Sequence, residues 1–547
     1  MKSAFQLLVR LFRNRFLEND SVSPGGGFQT NIYHVLGILI TVGLIAGYSV
    51  LLTSADLSRG ARSIQGDWML RSLRLFLPDF SFGVAGFTAL FYWDALFPDR
   101  RDFLILAPFP IPLRQLVAAK FTALLAFVAL LAGAVNVTPD SIVLLSLFGR
   151  GDSLRLAAAQ IAATFGASAF GFLAVAAGQG ILISLTSASV FRRISPCIQM
   201  FGMSAMVVSI LGFPFFAGLL RPAVEQKQFW LYLFPPVWFS GLFELFLGGQ
   251  NQLLASLGML AIKMTGLALI IMLFTWGFGF RRHFRRTLES EDAAHRPRNW
   301  RVPNWLIQSP QERALFGFAA KTLARSQRHQ FFIATYFSAG LAIALFFGAA
   351  IRDGRIALSS SGARSVAFVL GFFAISGFRA VFQFPAELAS NWLFRMTEAR
   401  WTEVSRSATR KLVLAVSLVP LLMLSLPLEL AVWDWPAVVE HLAVQVVAAA
   451  LLVELLFWSF DKVPFTCSYF PGTTSLAVLT VLYIYGVTGY SFHMADLESV
   501  MEGNWPIAVL FFTVTGAALI VSWRRHPRAD GVRFDGSEPV IQSLELN

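Results

Sequence analysis

The sequence predicts an all-α polytopic membrane protein of about twelve transmembrane helices, arranged as two fused six-helix halves. Three observations carry this expectation. Hydrophobic residues make up 56% of the chain and charged residues 14%, for a mean hydropathy of +0.62. Apolar runs of about 20 residues, the length a helix needs to cross the hydrocarbon core, recur from end to end. They are interrupted once, by a long basic stretch near the middle. With 54 Phe against 32 acidic residues the chain is not disordered, and two cysteines, Cys197 and Cys467, give no disulfide scaffold.

The expected spans cover residues 32–53, 76–97, 117–137, 157–186, 197–220, 254–280, 331–351, 366–384, 412–432, 438–460, 473–493 and 505–523. Residues 1–31 resemble a signal peptide only superficially. Four Lys/Arg, the acidic pair Glu18 and Asp20, and Pro24 with a glycine triplet precede any long apolar run, so no cleavable signal is expected. Twelve spans put both termini on one side. With the N-terminus inside, 31 of the 44 Lys/Arg fall on that side, Lys120 at the mouth of the third span included, against 11 on the other. Positive charge accumulates in cytoplasmic loops, so both termini are expected in the cytoplasm of a chain in the cell (plasma) membrane. Most of the +12 net charge is then a topology signal, and no nucleic-acid partner is expected.

Residues 156–191 form a stretch of 36 without an ionisable side chain, more than one crossing needs. It predicts either a helix projecting beyond the bilayer or a bend near Gly178 and Gly180. Small residues at four-residue spacing, Ala158, Ala162 and Gly166 on one face and Ala163, Ala167 and Gly171 on another, allow close helix packing.

The basic stretch 281–330 holds eleven Lys/Arg. It divides the chain into a first six-span half (1–280), a basic cytoplasmic linker (281–314), a second six-span half (315–523) and a cytoplasmic tail (524–547). Each half opens with an amphipathic basic segment, FQLLVRLFRNRF at 5–16 and LFGFAAKTLARSQRH at 315–329. Such helices lie in the interface against membrane lipid. After two spans each half has a charged segment, FPDRRDFLILAPFPIPLRQLVAAK at 97–120 and FPAELASNWLFRMTEARWTEVSRSATRK at 384–411. Both begin Phe-Pro and end in a basic residue. Between the fifth and sixth spans, 229–249 is aromatic and interrupted by Pro235 and Pro236, which predicts an interfacial or re-entrant pair of short helices. Its counterpart in the second half, 494–504 with Asp496, Glu498 and Glu502, is much shorter.

No catalytic residue, cofactor or metal site is expected. GMLAIKMT at Gly258 and GFAAKT at Gly317 lack the second glycine that a phosphate-cradling loop places before its lysine. No HExxH occurs, and the seven histidines are scattered. Ionisable groups inside spans are functional candidates. Lys263 lies about nine residues into its span, from where it can snorkel outward, Arg379 and Asp94 sit near the cytoplasmic ends of theirs, and Glu429 and Asp434 lie at the outer end of the ninth span, where water reaches them. Glu454 is deeper, and reads as a paired structural carboxylate or as a residue of the transport pathway.

The segment after the second span carries the most specific pattern. Asp99, Arg100, Arg101 and Asp102 form a charged cluster, 103–107 is apolar, and Pro108, Pro110 and Pro112 break the chain before Arg114. A short helix with such a cluster offers complementary charge to a soluble partner while its apolar side rests on the membrane. The plainer reading is a positive-inside loop.

On these segments the chain resembles a membrane permease subunit of the type-2 family of ATP-binding-cassette (ABC) exporters. There an amphipathic elbow helix precedes six spans, the loop between spans two and three forms a coupling helix that docks into the ATPase, and re-entrant helices precede span six. Here 5–16 matches the elbow, 97–120 the coupling segment and 234–244 (FPPVWFSGLFE) the outer helices. The second half matches by topology, with an elbow at 315–329 and a coupling segment around 387–398. The resemblance implies export driven by ATP hydrolysed in separate cytoplasmic ATPase subunits. They would dock on Asp99, Arg100, Arg101, Asp102 and Arg114 in one half and Glu387, Arg395 and Glu398 in the other. It identifies no substrate. The rival expectation is a secondary transporter of major facilitator type, which also has twelve spans in two halves but would leave the elbows and the proline-rich segment unexplained. A membrane-embedded enzyme would need a catalytic constellation that the chain lacks.

Overall fold

The computed structural model describes residues 4–17, scattered positions between 37 and 48, 64–96, 109, 111–147, 153–248, 251–289, 307, 309–352, 355–358, 360–384, 386, 394, 401–458, 460, 462–466 and 476–524. Among them, eight helices are long and apolar enough to cross a membrane, and the fold is that of a helical polytopic membrane protein. These eight overlap the third to sixth, eighth to tenth and twelfth expected spans. The chain divides into two compact units, Met1–His295 and Arg296–Asn547, each with its own hydrophobic core.

The first unit contains α1 (Ala4–Leu17), α2 (Ile64–Phe91), α3 (Leu113–Leu147), α4 (Ser153–Leu185), α5 (Ala188–Leu211), α6 (Phe213–Glu225), α7 (Pro235–Phe246) and α8 (Gln252–Glu289). Helix α1 is the amphipathic segment expected from its pattern. It packs on α3 through buried Leu8 and Phe12, with Lys120 Nζ 5.5 Å from the Phe12 ring centroid, and leaves Arg10 and Arg13 exposed.

Helix α4 is a single rod of 33 residues, about 50 Å long at 1.5 Å per residue. It does not bend at Gly178 or Gly180, so of the two expectations the long helix is the one observed. A Cβ on Gly171 would fall 2.6 Å from the Phe82 carbonyl oxygen of α2, and one on Gly180 would strike Thr275 of α8. The absent side chains are what allow these crossings. Of the two small-residue faces, Ala163, Ala167 and Gly171 are buried, while Ala158 is exposed and Ala162 and Gly166 are half-buried.

The fifth span was expected to run unbroken to 220, but the helix stops at Gly212 and α6 starts afresh with Pro214 in its first turn. Proline lacks an amide hydrogen and clashes with the preceding turn. The aromatic segment that follows also departs from expectation. It forms one 3₁₀ turn (Phe229–Tyr232) and one helix, α7, rather than a pair of short helices. Residues 236–244 are all buried, because α7 packs against α2, α4 and α8.

The second unit contains α9 (Pro310–Arg325), α10 (Gln327–Gly348), strands β1 (Ala349–Arg352) and β2 (Arg355–Leu358), α11 (Ser360–Val381), α12 (Trp401–Val413), a π turn (Leu414–Leu418), α13 (Val419–Val432), α14 (Trp435–Leu456), α15 (Leu476–Met501) and α16 (Trp505–Arg524). Its elbow starts five residues before the expected 315, because Ser309 accepts the Glu312 amide at 3.0 Å and Pro310 fills the first helical position, where a missing N–H costs nothing. The antiparallel hairpin, with Arg352 opposite Arg355, replaces the last turn of the expected seventh span. Its signal was present as Asp353-Gly354, the dipeptide suited to a two-residue hairpin connection. The outer segment 494–504 is not separate either: α15 continues through it to Met501 before a turn at Gly503, φ +79°.

Within each unit the same helix pairs meet. In the first, α1 packs on α3, α2 on α4 and α5, and α4 on α8; in the second, α9 packs on α12, α11 on α14 and α15, and α14 on α16.

Helices α7 and α8 cross backbone against backbone: a Cβ on Gly241 would lie 2.3 Å from the Leu254 carbonyl oxygen, and one on Gly258 2.5 Å from the Gly241 carbonyl oxygen. Backbone cannot yield there as a flexible side chain can. Gly258→Val is expected to cost at least the ~1–3 kcal/mol typical of overpacking, read as a lower thermal midpoint in detergent. Gly266→Ala, on the same helix with nothing within 4 Å, should leave the midpoint unchanged or raised.

Candidate functional site

The most connected polar group lies where α12 meets the rest of the second unit. Ser405, Arg406, Ser407, Arg410 and Lys411 line that helix, and between them they reach four neighbours. Ser405 Oγ donates to the Lys462 carbonyl at 3.0 Å, and Arg406 to the Trp458 carbonyl at 2.9 Å. Ser407 Oγ donates to Glu312 Oε1 at 2.5 Å, and Lys411 Nζ pairs with the same oxygen at 2.8 Å. Glu312, the third residue of the elbow helix, therefore anchors α9 onto α12.

Arg410 reaches the other way, to Glu454 Oε2 at 2.5 Å. Glu454 also accepts Ser522 Oγ at 2.6 Å and Trp523 Nε1 at 2.9 Å. The carboxylate thus joins α12, α14 and the end of α16, and of the two expectations for Glu454 the paired structural carboxylate describes what is seen. Arg379 adds a further tie, donating from Nε to the Leu456 carbonyl at 3.0 Å with its guanidinium 4.9 Å from the Phe460 ring centroid.

These ties frame the start of the second charged segment. The Ala386 amide donates to the Phe465 carbonyl at 3.0 Å and the Phe465 amide to the Phe382 carbonyl at 3.3 Å, with Phe465 at φ +67°, a conformation held only by its surroundings. His329 pins the same corner. Its Nε2 contacts the Phe384 carbonyl at 3.2 Å, which accepts only, so Nε2 carries the proton and Nδ1 accepts the Ser326 hydroxyl.

Of the residues expected to dock a partner, Arg114 is exposed at the start of α3. Asp99, Arg100, Arg101, Asp102, Glu387, Arg395 and Glu398 lie outside the described residues. Phe394, beside Arg395, is buried and packs on Phe318 of the elbow at 5.3 Å between ring centroids.

Two polar features escaped sequence reasoning. A seam in the first unit joins Asn136 and Asp140 of α3 to Gln160, Thr164 and Ser168 of α4. Thr164 donates to Asp140 at 2.7 Å, Gln160 to Asp140 at 3.2 Å, and Asn136 to Ser168 at 2.8 Å. Ser81 of α2 donates to Asn136 at 2.5 Å, and nearby on α2 Asp79 accepts Ser209 of α5. Asp140 was placed beyond the third span because its run was cut at 137, yet α3 continues to Leu147. The spacing of Gln160, Thr164 and Ser168, four residues apart in an uncharged stretch, was the signal. The second feature is Glu429, expected in water but 1% exposed and bonded to Gln445. Among the described residues, no three His, Cys, Asp or Glu side chains gather round one point.

No family model matches the chain, and neither the curated proteins nor the solved structures hold a match to it.

Two predictions follow from this corner of the second unit. Breaking a buried ion pair from one side leaves an uncompensated charge, at a cost of about 3–5 kcal/mol. Glu454→Leu should destabilise the chain by that order in detergent unfolding, and Arg410→Met combined with Glu454→Leu should recover most of it. Burial holds the His329 imidazole below the ordinary histidine value, with Arg328 adding to the fall and the Phe384 carbonyl opposing it. The folded chain then binds this proton less well than the unfolded one, so the pin is intact above about pH 6.5 and loses stability as pH drops below it. Thermal midpoints measured from pH 7.5 to 5 should fall more steeply for the wild type than for His329→Gln.

Proposed function

We propose that the chain is the transmembrane permease subunit of an ABC exporter, with twelve spans in two six-span halves and ATP hydrolysed by a separate cytoplasmic ATPase. The observation that carries this reading is the elbow helix seated on the first turns of a long helix in both units: α1 on α3 and α9 on α12. In each case the partner helix immediately follows the charged segment assigned to ATPase docking. A push on either segment would pass into a helix already fixed to its elbow and, in the second unit, through Glu454 to α14 and α16. The repeated helix pairing supports two equivalent halves, and the buried α7 supports an outer re-entrant element. The Lys/Arg distribution supports cytoplasmic termini in the plasma membrane.

A secondary transporter is the second reading, favoured by Asp79 and Asp140. They are 0% and 3% exposed and have no basic partner among the described residues. Intramembrane carboxylates of this kind mark ion pathways in pumps and transporters.

The decisive measurement is recruitment of the ATPase. Arg100→Glu with Arg101→Glu reverses rim charges that contribute only about 0–1 kcal/mol to folding when exposed, but sets like charges against a partner, which can cost several kcal/mol. The double variant should express and insert normally while losing pull-down of the ATPase and stimulation of its hydrolysis. Arg395→Glu should weaken coupling less. Wild-type recruitment by a correctly inserted double variant would reject the docking assignment, and transport by the chain alone down an ion gradient would favour the second reading.

A further inference from the structure

A second buried polar group, apart from the α12 corner, joins Glu429 on α13, His441 and Gln445 on α14, and Glu498 on α15. These side chains are 1%, 1%, 2% and 6% exposed. Both Glu498 oxygens lie 2.8 Å from His441 Nδ1. Nδ1 therefore carries a proton and donates to that carboxylate, and Nε2 points the other way. Nε2 faces Glu429 Oε1 at 3.7 Å, too far for a hydrogen bond. Gln445 Nε2 donates to the same oxygen at 2.5 Å. His441 Nε2, Glu429 Oε2 and Gln445 Oε1 are buried without any hydrogen-bond partner, as is the Trp433 Nε1 donor. Glu429 Oε2 and Gln445 Oε1 are acceptors, and Nε2 becomes one once it gives up its proton.

Charge points the same way. Two carboxylates in an apolar setting share one imidazole, which can offset at most one negative charge, and the group is walled by Trp433 at 5.0 Å and Phe368 at 5.5 Å from the imidazole. Among the described residues no Lys or Arg pairs with them: Arg364 is committed to Glu502 and lies 5.9 Å from the Trp433 ring centroid. An uncompensated buried charge is costly, and buried acceptors without donors signal a missing partner.

We propose that His441 Nε2 and the Glu429 carboxylate bind one divalent transition-metal ion of the zinc type, with water completing its coordination. Two ligand atoms that each touch a tetrahedral ion at about 2.0–2.1 Å stand about 3.3–3.4 Å apart, so these two, at 3.7 Å, need close by only a few tenths of an ångström. An imidazole and a carboxylate suit zinc better than an all-oxygen calcium or magnesium shell. Glu498 stands behind the ring on Nδ1, where a carboxylate orients a metal-bound histidine and raises its basicity. Only His441 and Glu429 are ligands, since Glu498 is on the far side of the imidazole. The ion neutralises the group and clasps the C-terminal end of α13 to the N-terminal part of α14. The inference is independent of what drives transport.

The test uses the full chain, purified on a histidine-free tag and stripped with a chelator. Titration with Co²⁺ should give saturable ligand-field absorption at one ion per chain, displaced by Zn²⁺. His441→Gln and Glu429→Gln should lose that signal while eluting as the wild type does. Glu498→Gln, which keeps both ligand atoms, should weaken binding about 10–100-fold. Absence of saturable Co²⁺ or Zn²⁺ uptake by the wild-type chain would overturn the proposal, and so would uptake unchanged in both ligand variants. The wild-type titration decides alone if a variant fails to fold.

Discussion

In an apolar medium a charge cannot borrow water, so every charge the chain buries must be answered from within the chain. The second unit is organised around two such answers. Glu312 receives Ser407 and Lys411, and Glu454 receives Arg410, Ser522 and Trp523. Because Ser407, Arg410 and Lys411 share about one turn of α12, two carboxylates fix that helix to the elbow on one side and to the membrane helices on the other. Buried ion pairs contribute little net stability compared with apolar packing, but losing one partner is severe. Their effect is to make one arrangement of α9, α12, α14 and α16 far better than its neighbours.

The first unit answers the same constraint with neutral donors, which reach the Asp79 and Asp140 carboxyls from neighbouring helices. Its long helices cross closely at glycines, Gly171 against α2, Gly180 against α8 and Gly241 against Gly258. Between helices, amides and hydroxyls satisfy each other along the Asn136–Asp140 seam. Packing and interhelical hydrogen bonding hold helices together where lipid removes the hydrophobic driving force between them. Corresponding helix pairs thus meet in both units through different chemistry.

What the sequence alone determined was set by local and one-dimensional physics. Hydropathy over about 20 residues marked the apolar helices, and the alternation of Leu and Phe with Arg marked α1 as amphipathic. The uncharged stretch from 156 correctly announced a long helix. Proline and glycine punctuation was legible at Ser309-Pro310, Gly212 and Asp353-Gly354, although the boundaries drawn from hydropathy ran past the first two. Hydropathy cannot distinguish an apolar helix facing lipid from one buried among others, so 229–249 read as interfacial or re-entrant without showing that α7 is buried.

Only the tertiary structure decided the fate of the ionisable residues. Nothing near Glu454 in the sequence points to Arg410 or Trp523, which reach it from 44 and 69 positions away. Glu429 reads as a water-facing residue at the end of a span until α14 and α15 cover it with Gln445, His441 and Glu498. Asp140 looks like part of a loop until α3 is seen to continue beyond it. The physical reason is the same each time. Whether a carboxylate is solvated, paired or left to hold an ion depends on what other helices bring within about 4 Å, and that is a property of packing, which no local pattern encodes.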